Sequence, residues 1–323
     1  MRQQSLAATA PEREAAIARA NDYMGRTGLC VVDFARRINY SPVTLRFFLK
    51  NRYDHVGGDD THIRRAIDAW MAAHPVEAST QVAGELYDTA NTRLIRATFQ
   101  KLLPRPVAYM IYAPPGSQKT FGLENEVARL NREELSRNGH GRRAFYVYAR
   151  QNLRSRDLMR RVAVACGIHA TAEIDRMLAN LRFEFRGRRV LLVVDEAQHL
   201  DLDAFETLRE LLDQPPHMSL LLAGSHDLKE KFDRFSATLE QWNSRIIAKV
   251  RLPGLERAEA AGIIRREVGD LLDAMPAPAA ERKTDQLIRM ATTSDAFEKG
   301  RTYINVRTLT NALAQLRGAQ EEA

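Results

Sequence analysis

Cysteine is nearly absent: Cys30 and Cys166 are the only two in 323 residues. They stand far apart and lack metal-ligand spacing, so no disulfide framework or thiolate metal site is expected, and the pair fits a reducing cytoplasm. No apolar stretch approaches the ~20 residues needed to span a bilayer. The opening MRQQSLAATAPEREAA has no apolar h-region, so it does not read as a secretory signal. Long-period repeats and low-complexity tracts are also missing. What is present is globular in character, with 45% hydrophobic and 28% charged residues, which argues against disorder. The length suits two or three domains. A net charge of +7 favours a polyanionic partner such as nucleic acid.

The most informative stretch is Val107–Thr120, VAYMIYAPPGSQKT, an apolar run that ends in an altered phosphate-binding loop. The intact pattern, G-x-x-x-x-G-K-[ST], joins a strand, a tight loop and a helix start. Here Ala113 replaces the first Gly and Gln118 the last, while Pro114, Pro115, Gly116 and Ser117 fill the loop and Lys119 and Thr120 keep their places. Such a loop works because successive backbone N–H groups form an anion nest at a helix N-terminus. Lys119 is expected to reach the β- and γ-phosphates of ATP, and the Thr120 hydroxyl to ligate Mg²⁺. Phe121 completes the nucleotide-binding run. A Gly that needs positive φ is poorly replaced by Gln, so Gln118 is expected to alter nucleotide affinity or slow hydrolysis. An ordinary Pro-Gly turn before a helix has the same local look.

Val190–Glu196, VLLVVDE, supplies the second half of a phosphoryl-transfer site. A continuous β-branched run of this kind reads as a strand buried on both faces of a parallel sheet. Two carboxylates at its C-terminal end are costly unless they face a cleft. Asp195 is expected to hold Mg²⁺ through water, and Glu196 to polarise the attacking water.

Ahead of this core, residues 1–75 read as an all-α module. Val31–Ile38 has helical periodicity, Asn39–Tyr40 makes a short turn, Ser41 is a good N-cap, and Pro42 stands at a first helical position. Val43–Asn51 then reads as a second helix, and His62–Ala73 as a closing one. Helix, short turn and capped basic helix is the helix-turn-helix pattern, although a plain αα-hairpin shares it. Arg46, Lys50 and Arg52 are the expected DNA contacts, with Thr44 near the helix start. Residues 76–88 are polar and small and read as a linker.

Residues 89–253 alternate strands (Val107–Tyr112, Ala144–Tyr148, Val190–Val194, Ser219–Ala223, Ala248–Leu252) with helices (Thr120–Ser136, Ser155–Gly167, Thr171–Gly187, Asp203–Leu212). Crossovers of this length imply a parallel sheet with helices on both faces and a site at the strand C-terminal ends. The runs His140–Arg143 and Arg186–Arg189 read as turns before strands. Residues 254–323 read as a small helical lid, with Arg301–Ala314 its last well-patterned segment. The expected fold class is therefore α/β, a P-loop ATPase of AAA+ type with an N-terminal helix-turn-helix module and a C-terminal helical lid.

With DEAQHL at Asp195–Leu200 and LLLAGSHDL at Leu220–Leu228, the chain resembles the transposition AAA+ ATPases, a group that includes the IstB-like, TniB-like and phage Mu B proteins. The resemblance runs from Val31 to about Leu316, and the order of modules is closest to the Mu B type. It implies further roles. Ser225, where the group usually carries Asn, stands at the sensor position that meets the γ-phosphate or lytic water, and His226 beside it shares that candidacy. Arg245 falls where a basic residue faces the neighbouring subunit as an arginine finger, and Arg307 where a lid Arg senses the nucleotide. Arg150, Arg154 and Arg156 fall in a region that can line a DNA-facing bore, although a solvated loop is the commoner fate of such arginines.

The resemblance implies an ATPase that binds duplex DNA with little sequence preference and self-associates with ATP into an oligomer or filament. It also implies recruitment and activation of a transposase in the cytoplasm of a bacterial or phage-infected cell. Two other functions fit the residues. One is a sequence-specific transcription regulator with an ATP-sensing domain, reading a palindrome as a dimer. The other is an AAA+ ATPase of a different assembly, secretion included, whose N-terminal module holds a protein.

Overall fold

The computed structural model describes residues 10–27, 31–53, 59–74, 87–138, 143–168, 170–186, 188–213, 218–295 and 300–321. Cys30, most of the proposed linker (76–86 of 76–88) and most of the 140–143 run lie outside these residues.

The N-terminal module consists of α1 (Ala10–Thr27), α2 (Val31–Arg37), α3 (Pro42–Leu49) and α4 (Thr61–Ala73). They share a core of their own around Ile17, Phe34, Leu45, Phe48, Ile63 and Ile67. The α2–α3 turn follows from its residues. Asn39 takes φ 59°, a conformation Asn tolerates better than most. The Ser41 hydroxyl accepts the Thr44 N–H at 3.0 Å, and Pro42 occupies the first turn, where no N–H is required. The carboxylate of Asp60 is buried at the start of α4 but accepts from both Arg13 and Arg64, as a buried charge must to avoid a large desolvation cost.

Beyond Thr89, whose hydroxyl caps α5 (Ala90–Leu102) in a capping box with Thr92, strands and helices alternate. The order is β1 (Ala108–Tyr112), α6 (Lys119–Asn138), β2 (Ala144–Tyr148), α7 (Ser155–Ala165), α8 (Ile174–Phe185), β3 (Val190–Asp195) and α9 (Leu202–Asp213). There follow β4 (Met218–Gly224), α10 (His226–Arg234), the single turn α11 (Glu240–Asn243) and β5 (Ile246–Arg251). The five strands form one sheet in the order β2-β3-β4-β1-β5, and every pairing is parallel.

Strand periodicity sorts the core into two layers. Leu192, Val194, Leu220 and Leu222 face α7, α8 and α9, whereas Leu191, Val193, Leu221 and Ala223 face α5 and α6. All residues of β3 and β4 are buried, which explains why both read as unbroken apolar runs rather than alternating ones. The fold is thus α/β with a five-stranded parallel sheet, as the alternating pattern implies. Because β1 has β4 on one side and β5 on the other, a crevice opens at its C-terminal end, where open parallel sheets bind ligands.

The C-terminal unit contains α12 (Arg257–Asp273), α13 (Ala277–Ala291) and α14 (Val306–Glu321) around Ile264, Leu287, Ile288 and Leu309. It is not purely helical. Between α13 and α14 lies an antiparallel pair, β6 (Thr292–Ser294) and β7 (Thr302–Ile304). The segment expected to run as one pattern from Arg301 to Ala314 is accordingly divided, with 302–304 in β7 and α14 starting at Val306. Three-residue strands carry too little periodicity to read from sequence. Tyr87, placed in the linker by composition, is buried against this unit. No described helix is long and apolar enough to cross a membrane.

Candidate active site

The loop between β1 and α6 shapes the site. Gly116 takes φ 77° and Gln118 φ 60°, so two positions occupy the left-handed region. For Gly116 the reason is also spatial, because a Cβ there would overlap the Asn305 amide. Gln118 carries a side chain in a conformation that disfavours one by about 1–2 kcal/mol. Its carbonyl accepts from the Thr89 hydroxyl at 3.5 Å, which points the side chain toward the start of α5. The loop is also tied down from outside. Asn91, fully buried on α5, donates to Ser117 O at 3.0 Å and accepts from Gly254 N at 3.2 Å. From the C-terminal unit, Val306 N donates to Gly116 O at 2.9 Å and Asn305 Nδ2 to Pro115 O at 3.3 Å.

At the head of α6, Thr120 Oγ1 donates to Asp195 Oδ2 at 2.7 Å, and Tyr146 of β2 donates its hydroxyl to the same oxygen at 2.9 Å. Asp195 is completely buried, and its other oxygen accepts the Glu196 N–H at 2.8 Å. Burial, followed by the Asp195 charge, pushes the Tyr146 phenol far above its ordinary range. Glu196 takes φ 54°, and this left-handed turn ends β3 and brings its side chain over the loop. Its Oε1 lies 3.5 Å from Lys119 Nζ, and its Oε2 accepts from Gln198 Nε2. Lys119 is 7% exposed, so the Glu196 carboxylate is the countercharge that makes its burial tolerable.

Residues 113–121, Glu196, Ser225 and Arg307 line one open cavity of about 970 Å³. Ser225 caps α10 through its hydroxyl, which accepts from Asp227 N at 3.2 Å and donates to Asp227 Oδ2 at 2.9 Å. His226 is not among the lining residues. It is buried edge-on against Tyr112, and burial lowers its pKa from the ordinary imidazole value. Arg307 is exposed on the first turn of α14. At the far end of the cavity, burial and then the Glu267 charge push the Tyr87 phenol up to about 12.

Three sets of expected residues lie away from this cavity. Arg245 stands at the opposite end of the sheet, where its carbonyl accepts from Ala108 N at the start of β1. Its guanidinium forms a fork with both oxygens of Asp213. Arg150, Arg154 and Arg156 are exposed after the edge strand β2. In the N-terminal module, Lys50 and Arg52 are exposed, Arg46 is half-buried, and the half-buried Thr44 shares a hydrogen bond with the Ser41 hydroxyl at 2.7 Å. The outer face of α3 also carries Val43, 63% exposed, and Phe47, 36% exposed.

Sequence reading missed Tyr146, Glu124, Gln198, Asn91 and Asn305. Gln198 stands in DEAQHL and Asn305 two residues before Arg307, in segments read for other residues; the others reach the site through packing. Glu124, one turn beyond Thr120, lines the cavity, and its carboxyl is raised by burial and then by the Asp195 charge. A carboxyl whose folded pKa lies above its unfolded value stabilises the fold at low pH and loses that contribution as pH rises through the folded pKa. Glu124→Gln is therefore expected to raise the unfolding midpoint at pH 7. The gain should vanish below about pH 4, where the unfolded carboxyl is itself protonated. Thermal unfolding of both proteins across pH checks this; a variant less stable at pH 7 contradicts it.

Residues 106–232, from just before β1 into α10, match the family model of an AAA domain. No curated protein matches the chain. Among solved structures, ORC2 of Aeropyrum pernix in its ADPNP–ADP complexes is similar at 16% identity and a TM-score of 0.42, over 70% of this chain and 66% of that one. The Walker-type ATPase paby2304 of Pyrococcus abyssi is similar at 10% identity and a TM-score of 0.49, over 72% and 69%. Drosophila ORC bound to DNA is similar at 13% identity and a TM-score of 0.45, over 74% and 57%.

Proposed function

We propose that this chain is an ATP-hydrolysing, DNA-binding protein that assembles on duplex DNA and there recruits and activates a transposase. The observation that carries the enzymatic part is the convergence of Lys119, Thr120, Asp195 and Glu196 beneath the loop at the C-terminal end of β1. The Thr120 hydroxyl and Asp195 carboxylate, 2.7 Å apart, are the oxygen pair a hard cation takes. Among the described residues no group of three or more His, Cys, Asp or Glu forms a metal cluster. Mg²⁺ would keep waters and substrate phosphates in the rest of its shell. When bound, the ion neutralises phosphate charge and draws electrons toward the leaving oxygens.

The chain's own groups supply the rest. The backbone N–H groups of residues 116–120 cradle phosphate oxygens, since Pro114 and Pro115 have none and that of Ala113 is given to Gly224 O. Lys119, released from Glu196, places its ammonium on them. Glu196, freed from that ion pair, accepts a hydrogen bond from the attacking water and orients it. Ser225 stands across the cavity to hold the same water or the terminal phosphate. Arg307 approaches from α14. Arg245 serves a neighbouring subunit's site, which requires it to leave Asp213, so assembly and hydrolysis become coupled.

Gln118 suits a slow enzyme, because its strained backbone and its side chain beside Thr89 fix the loop in one shape. Gln118→Gly is expected to raise turnover at least threefold. Phosphate release under saturating ATP checks this, and a variant no faster than the parent contradicts it.

The DNA part rests on α3 and the turn after it, where Arg46, Lys50 and Arg52 offer cations to phosphates. Binding dominated by such contacts weakens linearly with log salt, with a slope of about −0.9 per phosphate neutralised. The exposed Val43 and Phe47 favour a second reading, a regulator in which α3 makes apolar contacts to base edges. Titration of random and mixed duplexes at rising salt, with footprinting, separates the two. Equal affinity for all sequences and a steep salt slope support assembly on DNA. One protected palindrome, occupied without ATP, supports the regulator.

A further inference from the structure

We infer that Gln198, third after Asp195 in the acidic motif, is a positioning residue that sets the place of the Glu196 carboxylate and ties it to the end of β4. This rests on the ATPase reading of the site and names a residue to which that reading assigns no part.

The Gln198 amide is held at both ends. Its Nε2 donates to Glu196 Oε2, and its Oε1 accepts the backbone N–H of Ser225 at 3.2 Å. A flipped amide would set a carbonyl against a carboxylate and an NH₂ against an N–H, so this network admits one orientation. The backbone beneath the amide is fixed as well. Lys231, half-buried on α10, donates to Gln198 O at 2.5 Å and Leu200 O at 2.7 Å, which pins the single 3₁₀ turn Ala197–His199. Space for the amide comes from Gly224, the last residue of β4, where a Cβ would overlap Gln198 Oε1.

The consequence concerns the moment when Lys119 turns to phosphate. Among the described residues Glu196 has two side-chain partners, Lys119 on Oε1 and Gln198 on Oε2. Loss of the first leaves the second to hold the carboxylate, at the step where its direction matters. Because the other end of the same amide sits on Ser225, a displacement at the end of β4 moves Glu196 through one rigid group. Misplacing a reacting group by about 1 Å costs on the order of 10²-fold in rate. Gln198 is not among the residues that line the cavity, so nucleotide binding is separable from this role.

Two substitutions divide the two ends of the amide. Gln198→Glu keeps an acceptor for Ser225 but has no donor for Glu196. Gln198→Ala has neither. Turnover is expected to fall 10- to 100-fold in both, with the ATP dissociation constant within threefold of the parent. Hydrogen exchange at the Ser225 amide, measured without nucleotide, should quicken in Gln198→Ala and stay near the parent's rate in Gln198→Glu. Gly224→Ala, which expels the amide without altering it, should match Gln198→Ala in both readouts. A parent protein without ATP binding or turnover sinks the ATPase reading itself. A parent that turns over, with Gln198→Glu equally fast, overturns this inference alone. Unchanged Ser225 exchange in Gln198→Ala also overturns it.

Discussion

Glu196→Gln is expected to lower ATP turnover by about 10³-fold while leaving nucleotide binding intact or slightly tighter. Positioned acid–base groups contribute roughly 10²- to 10⁴-fold, and Gln keeps the size and one acceptor of Glu but lacks the charge that orients and polarises water. The binding side follows from the ion pair. Lys119 Nζ lies 3.5 Å from Glu196 Oε1, so without ligand the ammonium is partly committed to the carboxylate. A neutral amide releases that commitment, and the phosphate gains an unencumbered cation. Single-turnover kinetics and equilibrium titration with a fluorescent ATP analogue separate the two effects. Equal loss of binding and turnover would mean that Glu196 shapes the loop and takes no part in the chemistry.

Lys119→Ala is expected to weaken ATP binding by about 10- to 100-fold. A hydrogen bond to a charged group contributes roughly 1.5–3 kcal/mol, and Lys119 supplies the ammonium within the loop. Its removal also leaves Glu196, 22% exposed at the side chain, facing the phosphates without an intervening cation, and like charges there add to the loss. Fold stability should change little, because the partner left behind is solvated. The same titration checks this. A dissociation constant within twofold of the parent would show that the altered loop binds through its backbone alone.

The sheet was legible because its strands are chemically loud. Leu191–Val194 and Leu220–Ala223 are buried on both faces, and nothing but a parallel sheet under two helical layers accommodates such runs. The edge strand β5 was legible only approximately, as Ala248–Leu252 instead of Ile246–Arg251. Lys249 and Arg251 interrupt its apolar pattern, and its start is set by pairing with β1. Lys119, Thr120, Asp195 and Glu196 were legible because their spacing is fixed by local backbone geometry, a loop at a helix head and the last residues of a strand. Tyr146, Asn91 and Asn305 were not. Tyr146 reaches Asp195 across 49 positions, Asn91 reaches Ser117 across 26, and Asn305 reaches Pro115 across 190. No window of sequence holds those contacts; the strand order and the lid create them. Arg245 illustrates the converse. A motif position marked it, but its guanidinium rests on Asp213, and that partner becomes visible only when the end of α9 meets the turn before β5.

The most direct test of the account is binding of the full chain to a random-sequence duplex, with and without ATP–Mg²⁺, for the parent and Glu196→Gln. Tight binding only with ATP–Mg²⁺ is expected for both proteins. The parent should leave the DNA as ATP is consumed, while Glu196→Gln remains bound many times longer. Binding of equal strength without nucleotide, with both proteins dissociating alike, would contradict it.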